Sequence, residues 1–302
     1  MPKRVLITGG SGMVGYAFKH ISTPCDIFLT NSSFDLRYSK NALALLDHYK
    51  PDAIIHLAAK VGGVKSNMDY LGDFYHDNIM INTNLLEAAR VHKVEKVVSL
   101  LSTCVYPDKV VYPLTEDQIH TGPPHSSNYG YAYAKRMLDI QSQAYRDQYG
   151  CNFVTAVPNN LFGENDNFHL ENSHVLPAII RKIYEAKHFG NDVELWGDGE
   201  PLREFTYSED VARALLLVLE KYDERYPINI GNPEEVSIKQ LAQMIAEILK
   251  FEGEIVWDAS KPKGQFKKPS DNSKFASLCQ MSYTPLAKAL KKTCDWFIMN
   301  YP

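Results

Sequence analysis

Cysteine is scarce in this chain of 302 residues, neither sign of charge dominates, and long apolar runs do not occur. The five cysteines, Cys25, Cys104, Cys151, Cys279 and Cys294, are scattered, odd in number and never at metal-ligand spacing. That pattern argues against a disulfide framework and against a metal site. Lys plus Arg total 32 against 36 Asp plus Glu, a net charge of −4. Such a balance excludes a general affinity for nucleic acid or an anionic membrane, while leaving room for one local basic pocket. After Lys3 and Arg4 the run Val5-Leu6-Ile7 stops at Thr8-Gly9, too short for a signal-peptide core, and no stretch approaches a membrane span. The expected setting is reducing and cytoplasmic.

With 45% hydrophobic and 23% charged residues, the chain has the composition of an ordinary globular protein, long enough to build its core unaided. Its first half alternates compact apolar runs with helical patterns. The runs are Arg4 to Ile7, Asp26 to Leu29, Ala53 to Leu57, Val97 to Leu101 and Phe153 to Val157. Little polar alternation within them suits parallel strands covered on both faces. Helical stretches fall at Met13–Ile21, Lys40–Tyr49, Asn78–His92 and Ala132–Tyr149. The order predicts an α/β fold, a doubly wound parallel Rossmann sheet whose ligands bind at the carboxyl ends of the strands. A polar loop from Gly163 to Ser173 and a helix from His174 to about Ala186, with Ser173 as its N-cap, open a second texture. Further runs at Val193–Trp196 and Ile228–Ile230, and helices at Glu209–Lys221, Ile238–Leu249 and Pro285–Met299, complete a smaller C-terminal α/β substrate domain. The expected division gives residues 1–165 and 204–232 to the dinucleotide-binding domain and 166–203 and 233–302 to the substrate domain.

Directly after the first run comes Thr8-Gly9-Gly10-Ser11-Gly12-Met13-Val14-Gly15, in which Gly10, Gly12 and Gly15 fit G-x-G-x-x-G. The first glycines permit a tight turn and a close approach of backbone to a pyrophosphate, and the last lets helix and strand pack closely. At the end of the second strand an NAD enzyme carries an acid for the ribose hydroxyl. Here Leu29-Thr30-Asn31-Ser32-Ser33 offers no carboxylate before Asp35, so NADP is the expected cofactor.

Tyr131 and Lys135 stand four apart in a predicted helix and so share a face. A lysine ammonium beside the phenol, together with the positive charge of an oxidised nicotinamide, is expected to favour phenolate and pull its pKa toward the working range. Ser102, at the end of the fourth strand, is placed to donate to the same carbonyl oxygen. These residues, the glycine loop and His56-Leu57-Ala58-Ala59 resemble the extended short-chain dehydrogenase/reductases, which act mostly on nucleotide sugars.

Within that family the chain is similar to a branch of dual-function epimerase/reductases acting on GDP-4-keto-6-deoxy-D-mannose. The similarity runs through Ser102-Thr103-Cys104, Asp166-Asn167-Phe168, Ser173-His174-Val175, Trp196-Gly197-Asp198-Gly199 and Gln265-Phe266-Lys267-Lys268. The resemblance implies that Cys104 and His174 are base and acid for epimerisation at C3 and C5, with Ser102 and Tyr131 on the C4 ketone. It implies NADP(H) held by Gly9, Gly10, Ser11, Gly12, Met13, Val14, Gly15, Asn31, Ser32, Leu57, Ala58, Ala59, Tyr131, Lys135, Pro158, Asn160, Leu161 and His174. It implies substrate contacts from Asn160, Lys182, Trp196, Arg203 and Lys268, and a homodimer formed through two long helices. A dehydratase would show Asp-Glu where Cys104-Val105 stand. The rival reading is another nucleotide-sugar 4-epimerase or dehydratase that recycles its nicotinamide, which leaves Cys104 and His174 without a task. Asn159 departs from the pattern, because relatives typically carry Thr there.

Overall fold

A computed structural model describes residues 2–30, 33–261 and 266–301. The large lobe contains, in chain order, β1 (Arg4–Thr8), α1 (Met13–Ala17), β2 (Asp26–Leu29), α2 (Ser39–Tyr49), β3 (Ala53–His56), α3 (Val64–Asp69), α4 (Leu71–Val91), β4 (Lys96–Leu100), α5 (Tyr129–Tyr149) and β5 (Phe153–Pro158). The chain then runs through β6 (Asn160–Phe162), α6 (Val175–Phe189), β7 (Val193–Trp196), β8 (Leu202–Tyr207), α7 (Ser208–Lys221), β9 (Ile228–Ile230), β10 (Glu235–Ser237), α8 (Ile238–Leu249), β11 (Ile255–Asp258), α9 (Ser273–Leu278) and α10 (Leu286–Asn300).

Six strands form an all-parallel sheet in the order β2-β1-β3-β4-β5-β9. Successive side chains on a strand point to opposite faces, and both faces are covered. Val5, Ile7, Ile55, Val98 and Val154 pack toward α1 and α7, whereas Leu6, Ile54, Val97 and Phe153 pack toward α2, α4 and α5. Burial on both faces is why these runs carry so little polar alternation. The chain leaves β1 to one side for β2 and returns to the other side for β3, so the order reverses beside β1. Open parallel sheets bind ligands at such a point.

The smaller lobe is built on the three-stranded sheet β10-β8-β6 and the parallel pair β11-β7, with α6, α8 and α10 around one core. The lobes share the chain intimately. Pro158 ends a strand of the main sheet, Asn160 begins one of the small sheet, and Phe275 of α9 packs back into the large lobe's core.

Several expected boundaries move, three of them for an identifiable physical reason. α1 stops at Ala17 because Lys19 and His20 donate to the carbonyls of Tyr16 and Ala17, closing tighter three-residue turns instead of helical ones. α4 begins at Leu71, seven residues early, because its buried stripe runs through Phe74, Asn78 and Asn82, where two amides interrupt the apolar pattern. The N-cap of α6 is His174 and not Ser173, whose hydroxyl is buried without a hydrogen-bond partner.

Candidate active site

The glycine loop shows by its clearances what it is built to hold. A Cβ on Gly9, whose φ is +72°, would sit 2.8 Å from the nitrogen of Ala58, and one on Gly15 would sit 2.4 Å from the Gly9 carbonyl oxygen. Gly10 is backed just as closely by Leu29 and Thr30, and therefore packs on β2 instead of facing the cleft. Gly12 differs. A Cβ there would meet only the Gly9 oxygen, at 3.4 Å, so its free side opens into the cleft. The bare backbone at Gly12 fits a pyrophosphate, as the spacing predicts. Asn31 and Ser32 lie outside the described residues.

Behind the loop runs a buried chain of hydrogen bonds with one possible direction. The backbone N–H groups of Leu57 and Ala58 donate to Thr8 Oγ1, each at 3.2 Å. The hydroxyl therefore spends its own hydrogen on Nδ1 of His56, 2.7 Å away. His56 then carries its proton on Nε2 and donates to Asn82 Oδ1 at 3.1 Å, and Asn82 Nδ2 donates to the carbonyl of Ala134. Burial and the nearby Lys135 hold the His56 pKa down to about 3, so the imidazole stays neutral as this direction requires. The chain joins the end of β1, the Leu57-Ala58-Ala59 segment and the helix that carries Tyr131 and Lys135. His56 entered the sequence reading only as part of a motif, and Asn82 not at all; an amide on a buried helical stripe was the available signal.

Ser102 stands two residues beyond β4 and caps the short 3₁₀ turn Thr103–Val105, its hydroxyl accepting from the Cys104 N–H at 3.4 Å. Ser102, Tyr131 and Lys135 all line the cleft. Cys104 sits half-buried just beyond Ser102 and Thr103, close enough to Tyr131 and Lys135 for their charges to interact. Phe74 meets the Tyr131 ring edge-on at 6.3 Å. The Lys135 ammonium lies 5.9 Å from that ring's centroid and donates to the Leu100 carbonyl at 2.7 Å.

Among the protein's own groups, desolvation dominates at the phenol. Burial, and secondarily Cys104, pushes the Tyr131 pKa up, while burial brings that of Lys135 down to about 8. Desolvation outweighs the lysine's attraction because its ammonium is turned toward a backbone carbonyl. Tyr131 is thus a protonated phenol at neutral pH, the state a proton donor needs. Burial also raises the Cys104 thiol, opposed in order by Ser102, Lys268, Lys135 and Arg136.

His174 lines the cleft on a strap formed by residues 163–174. Asn165 Nδ2 donates to the Ser11 carbonyl at 2.8 Å, and Gly63 N–H donates to that of Asn172 at 2.9 Å. The strap is thereby tied to the phosphate loop and to the segment before α3. His174 is open to water yet surrounded by cleft walls, and this desolvation lowers its pKa. Asp166 on the same strap was quoted only as part of a motif. Its Oδ2 is buried without a partner, and burial lifts its carboxyl to about 7.

The cleft measures about 2150 Å³, well above the ~300–1,000 Å³ of a single small-molecule pocket, and so has room for a dinucleotide and a nucleotide sugar together. Pro158, Asn160, Leu161, Lys182, Trp196 and Arg203 also line it. Trp196 is 60% exposed and not part of the core, with Lys182 Nζ 5.9 Å from its ring. Glu204 is engaged by Ser270 and Asn159, so it is not reserved for the adjacent Arg203. Asn159, the unusual residue, also lines the cleft, but its side chain is engaged within the protein. It accepts from Thr206 Oγ1 at 2.6 Å and donates to the Asn232 carbonyl and to Glu204, stapling the two lobes together. Lys268 donates to the Thr103 carbonyl.

Sheet, glycine loop and the Ser102–Tyr131–Lys135 group define an oxidoreductase and epimerase of the nicotinamide-dependent class. The chain belongs to the family described as "NAD dependent epimerase/dehydratase family", which matches residues 5–231. It is 42% identical to the GDP-L-fucose synthase of Dictyostelium discoideum, over 99% of this chain and 96% of that one. A GDP-L-fucose synthetase from Naegleria fowleri bound to NADP superposes with a TM-score of 0.94 at 42% identity, covering 99% of this chain and 93% of that one. A GDP-6-OMe-4-keto-L-xylo-heptose reductase from C. jejuni superposes with a TM-score of 0.89 at 28% identity, covering 98% of each chain.

Proposed function

We propose that the protein converts GDP-4-keto-6-deoxy-D-mannose to GDP-L-fucose by epimerisation at C3 and C5 followed by reduction at C4. The observation that carries this reading is a thiol, Cys104, two residues after Ser102 and close to Tyr131 and Lys135, while Ser102, Tyr131, Lys135 and His174 line the cleft; Cys104 itself is not among the described lining residues. Plain 4-reduction requires no thiol or imidazole there. The cofactor is NADP(H), which when bound supplies a hydride to the carbonyl carbon. Its pyrophosphate end is held by the backbone around Gly12, and Lys135 holds its ribose.

Ser102 and Tyr131 grip the C4 oxygen, drawing charge from the ring and acidifying the protons on C3 and C5. Cys104 as thiolate removes such a proton, and His174 in its protonated form returns one to the opposite face, becoming neutral, so the carbon inverts. The same grip on oxygen then serves reduction, with the Tyr131 phenol donating its proton to the alkoxide. Lys182 and Arg203 face the diphosphate, and the open face of Trp196 takes the guanine or ribose. Two copies pair through α4 and α5, where Tyr75, Tyr129, Tyr133, Met137 and Ile140 form an exposed stripe beside a groove at Leu71 and Gly72.

The test follows NADPH loss with GDP-4-keto-6-deoxymannose in D₂O, with the product's stereochemistry read by NMR. Deuterium at C3 and C5, stoichiometric NADPH consumption and the L-fuco product are expected. Cys104→Ala should stop deuterium uptake while leaving NADPH binding intact. A product reduced at C4 without inversion would replace this reading with a simple 4-reductase, which the half-buried position of Cys104 favours.

A further inference from the structure

The resemblance assigns Lys268 to the substrate, yet the side chain is spent elsewhere. Its Nζ donates to the carbonyl of Thr103 at 3.0 Å, across 165 residues of sequence. Thr103 opens the 3₁₀ turn whose next residue is Cys104. The segment that delivers Lys268 is pinned on both sides. Leu202 N–H donates to the Phe266 carbonyl at 2.8 Å, and Leu114 N–H donates to that of Pro269 at 2.9 Å. Both the N–H and the hydroxyl of Ser270 donate to the buried Glu204 carboxylate.

An enclosed ammonium bonded to one neutral carbonyl is poorly compensated, because desolvation of a charge costs more than one such bond returns. Asp108 helps, but Arg203 works against it, and burial accordingly lowers the pKa of Lys268. A neighbouring thiolate supplies the missing counter-charge. The groups facing the sulfur are the Ser102 hydroxyl on its own turn, Tyr131, Lys135 and Arg136 on α5, and Lys268 on the pinned segment. Of the cations, Lys268 acts most strongly on the thiol. Among the described residues that line the cleft, Lys182 and Arg203 are present, whereas Lys268 and Cys104 are both absent from its walls.

We propose that Lys268 is a positioning residue for Cys104, fixing the turn that carries the sulfur and supplying the charge against which its thiolate forms. The inference rests on Cys104 being the base. It also gives the second lobe a part in the chemistry of the first, because the segment bearing Lys268 is held by β8 of the small sheet.

The test is the rate at which iodoacetamide alkylates Cys104 across pH, read peptide by peptide by mass spectrometry in wild type, K268M, K268Q and K268R. Cys25, Cys151 and Cys279 serve as internal references. An opposite charge within ~4–6 Å moves a pKa by about 1–3 units, and each unit is a tenfold change in thiolate at neutral pH. K268M should therefore slow alkylation of Cys104 at pH 7 by about tenfold or more, and K268R should restore it. K268Q keeps a donor for Thr103 without the charge and should remain slow, which preserves the test where K268M fails to fold. Unchanged alkylation in K268M and K268Q, with KM for the GDP-sugar raised, would overturn the proposal and return Lys268 to the substrate. The reading of Cys104 as base fails separately, through undiminished deuterium uptake in Cys104→Ala.

Discussion

The hydroxyl of Thr8 and the imidazole of His56 are locked into one donor–acceptor direction, 2.7 Å apart, by the two backbone N–H groups that the same hydroxyl accepts. Thr8→Val keeps the shape and removes every one of these bonds. Unsatisfied buried groups cost about 1–3 kcal/mol, so the variant should lose about that much stability in urea unfolding. KM for NADPH should rise as well, because Leu57 and Ala58 line the cofactor's part of the cleft. Wild-type stability and KM together would show that the chain has no role in holding the loop.

Burial keeps the Tyr131 phenol protonated through the neutral range and sets Lys135 near 8. The alkaline limb of the pH profile should therefore belong to the lysine. KM for NADPH is expected to be flat below pH 7 and to climb above about pH 8 as the ammonium is lost, with Lys135→Met removing the limb and raising KM throughout. Tyr131→Phe should lower reduction by ~10²–10⁴-fold while keeping part of the deuterium exchange, which needs only the remaining grip of Ser102. Unchanged reduction would remove Tyr131 from the mechanism.

Asp166 titrates in the opposite sense from a paired carboxylate. Its folded pKa, raised from 3.8 to about 7, exceeds its unfolded one, so between those values the folded state binds a proton that the unfolded state lacks. Its contribution to stability is present below pH 4 and is lost as pH rises through 7, a difference of about 4 kcal/mol at most. Asp166→Asn should therefore gain stability over wild type at pH 8 relative to pH 5 in urea titrations. Parallel curves for the two proteins would show that the carboxyl finds a partner when ionised.

The exposed stripe on α5 recurs at Tyr129, Tyr133, Met137 and Ile140, a helical spacing that presents one face. Patches of this kind mark interfaces. Met137→Arg together with Ile140→Asp should shift the protein from dimer to monomer in light scattering, while NADPH binding persists because these side chains are absent from the cleft walls. A monomeric wild type would dispose of the pairing.

The sequence was most readable where one force decided the outcome. Parallel strands buried on both faces wrote themselves as apolar runs, and the glycine clearances at Gly9, Gly12 and Gly15 follow the motif. Boundaries failed where polar residues are buried with partners: Asn78 and Asn82 hid the first two turns of α4, and both amides are hydrogen-bonded within the large lobe. Helical spacing places Lys135 beside Tyr131 without revealing that the ammonium turns to Leu100. The destinations of Lys268 and Asn159 are long-range facts, set by segments far away in sequence, which no local pattern encodes.

The strap from Gly163 to His174 has little regular structure, yet its freedom to drift is small. With Asn165 holding Ser11 and Asn172 holding Gly63, substitutions along this polar stretch register at two distant loops at once. Irregular backbone here is not slack: it is the shortest mechanical path between the dinucleotide's cradle and the imidazole.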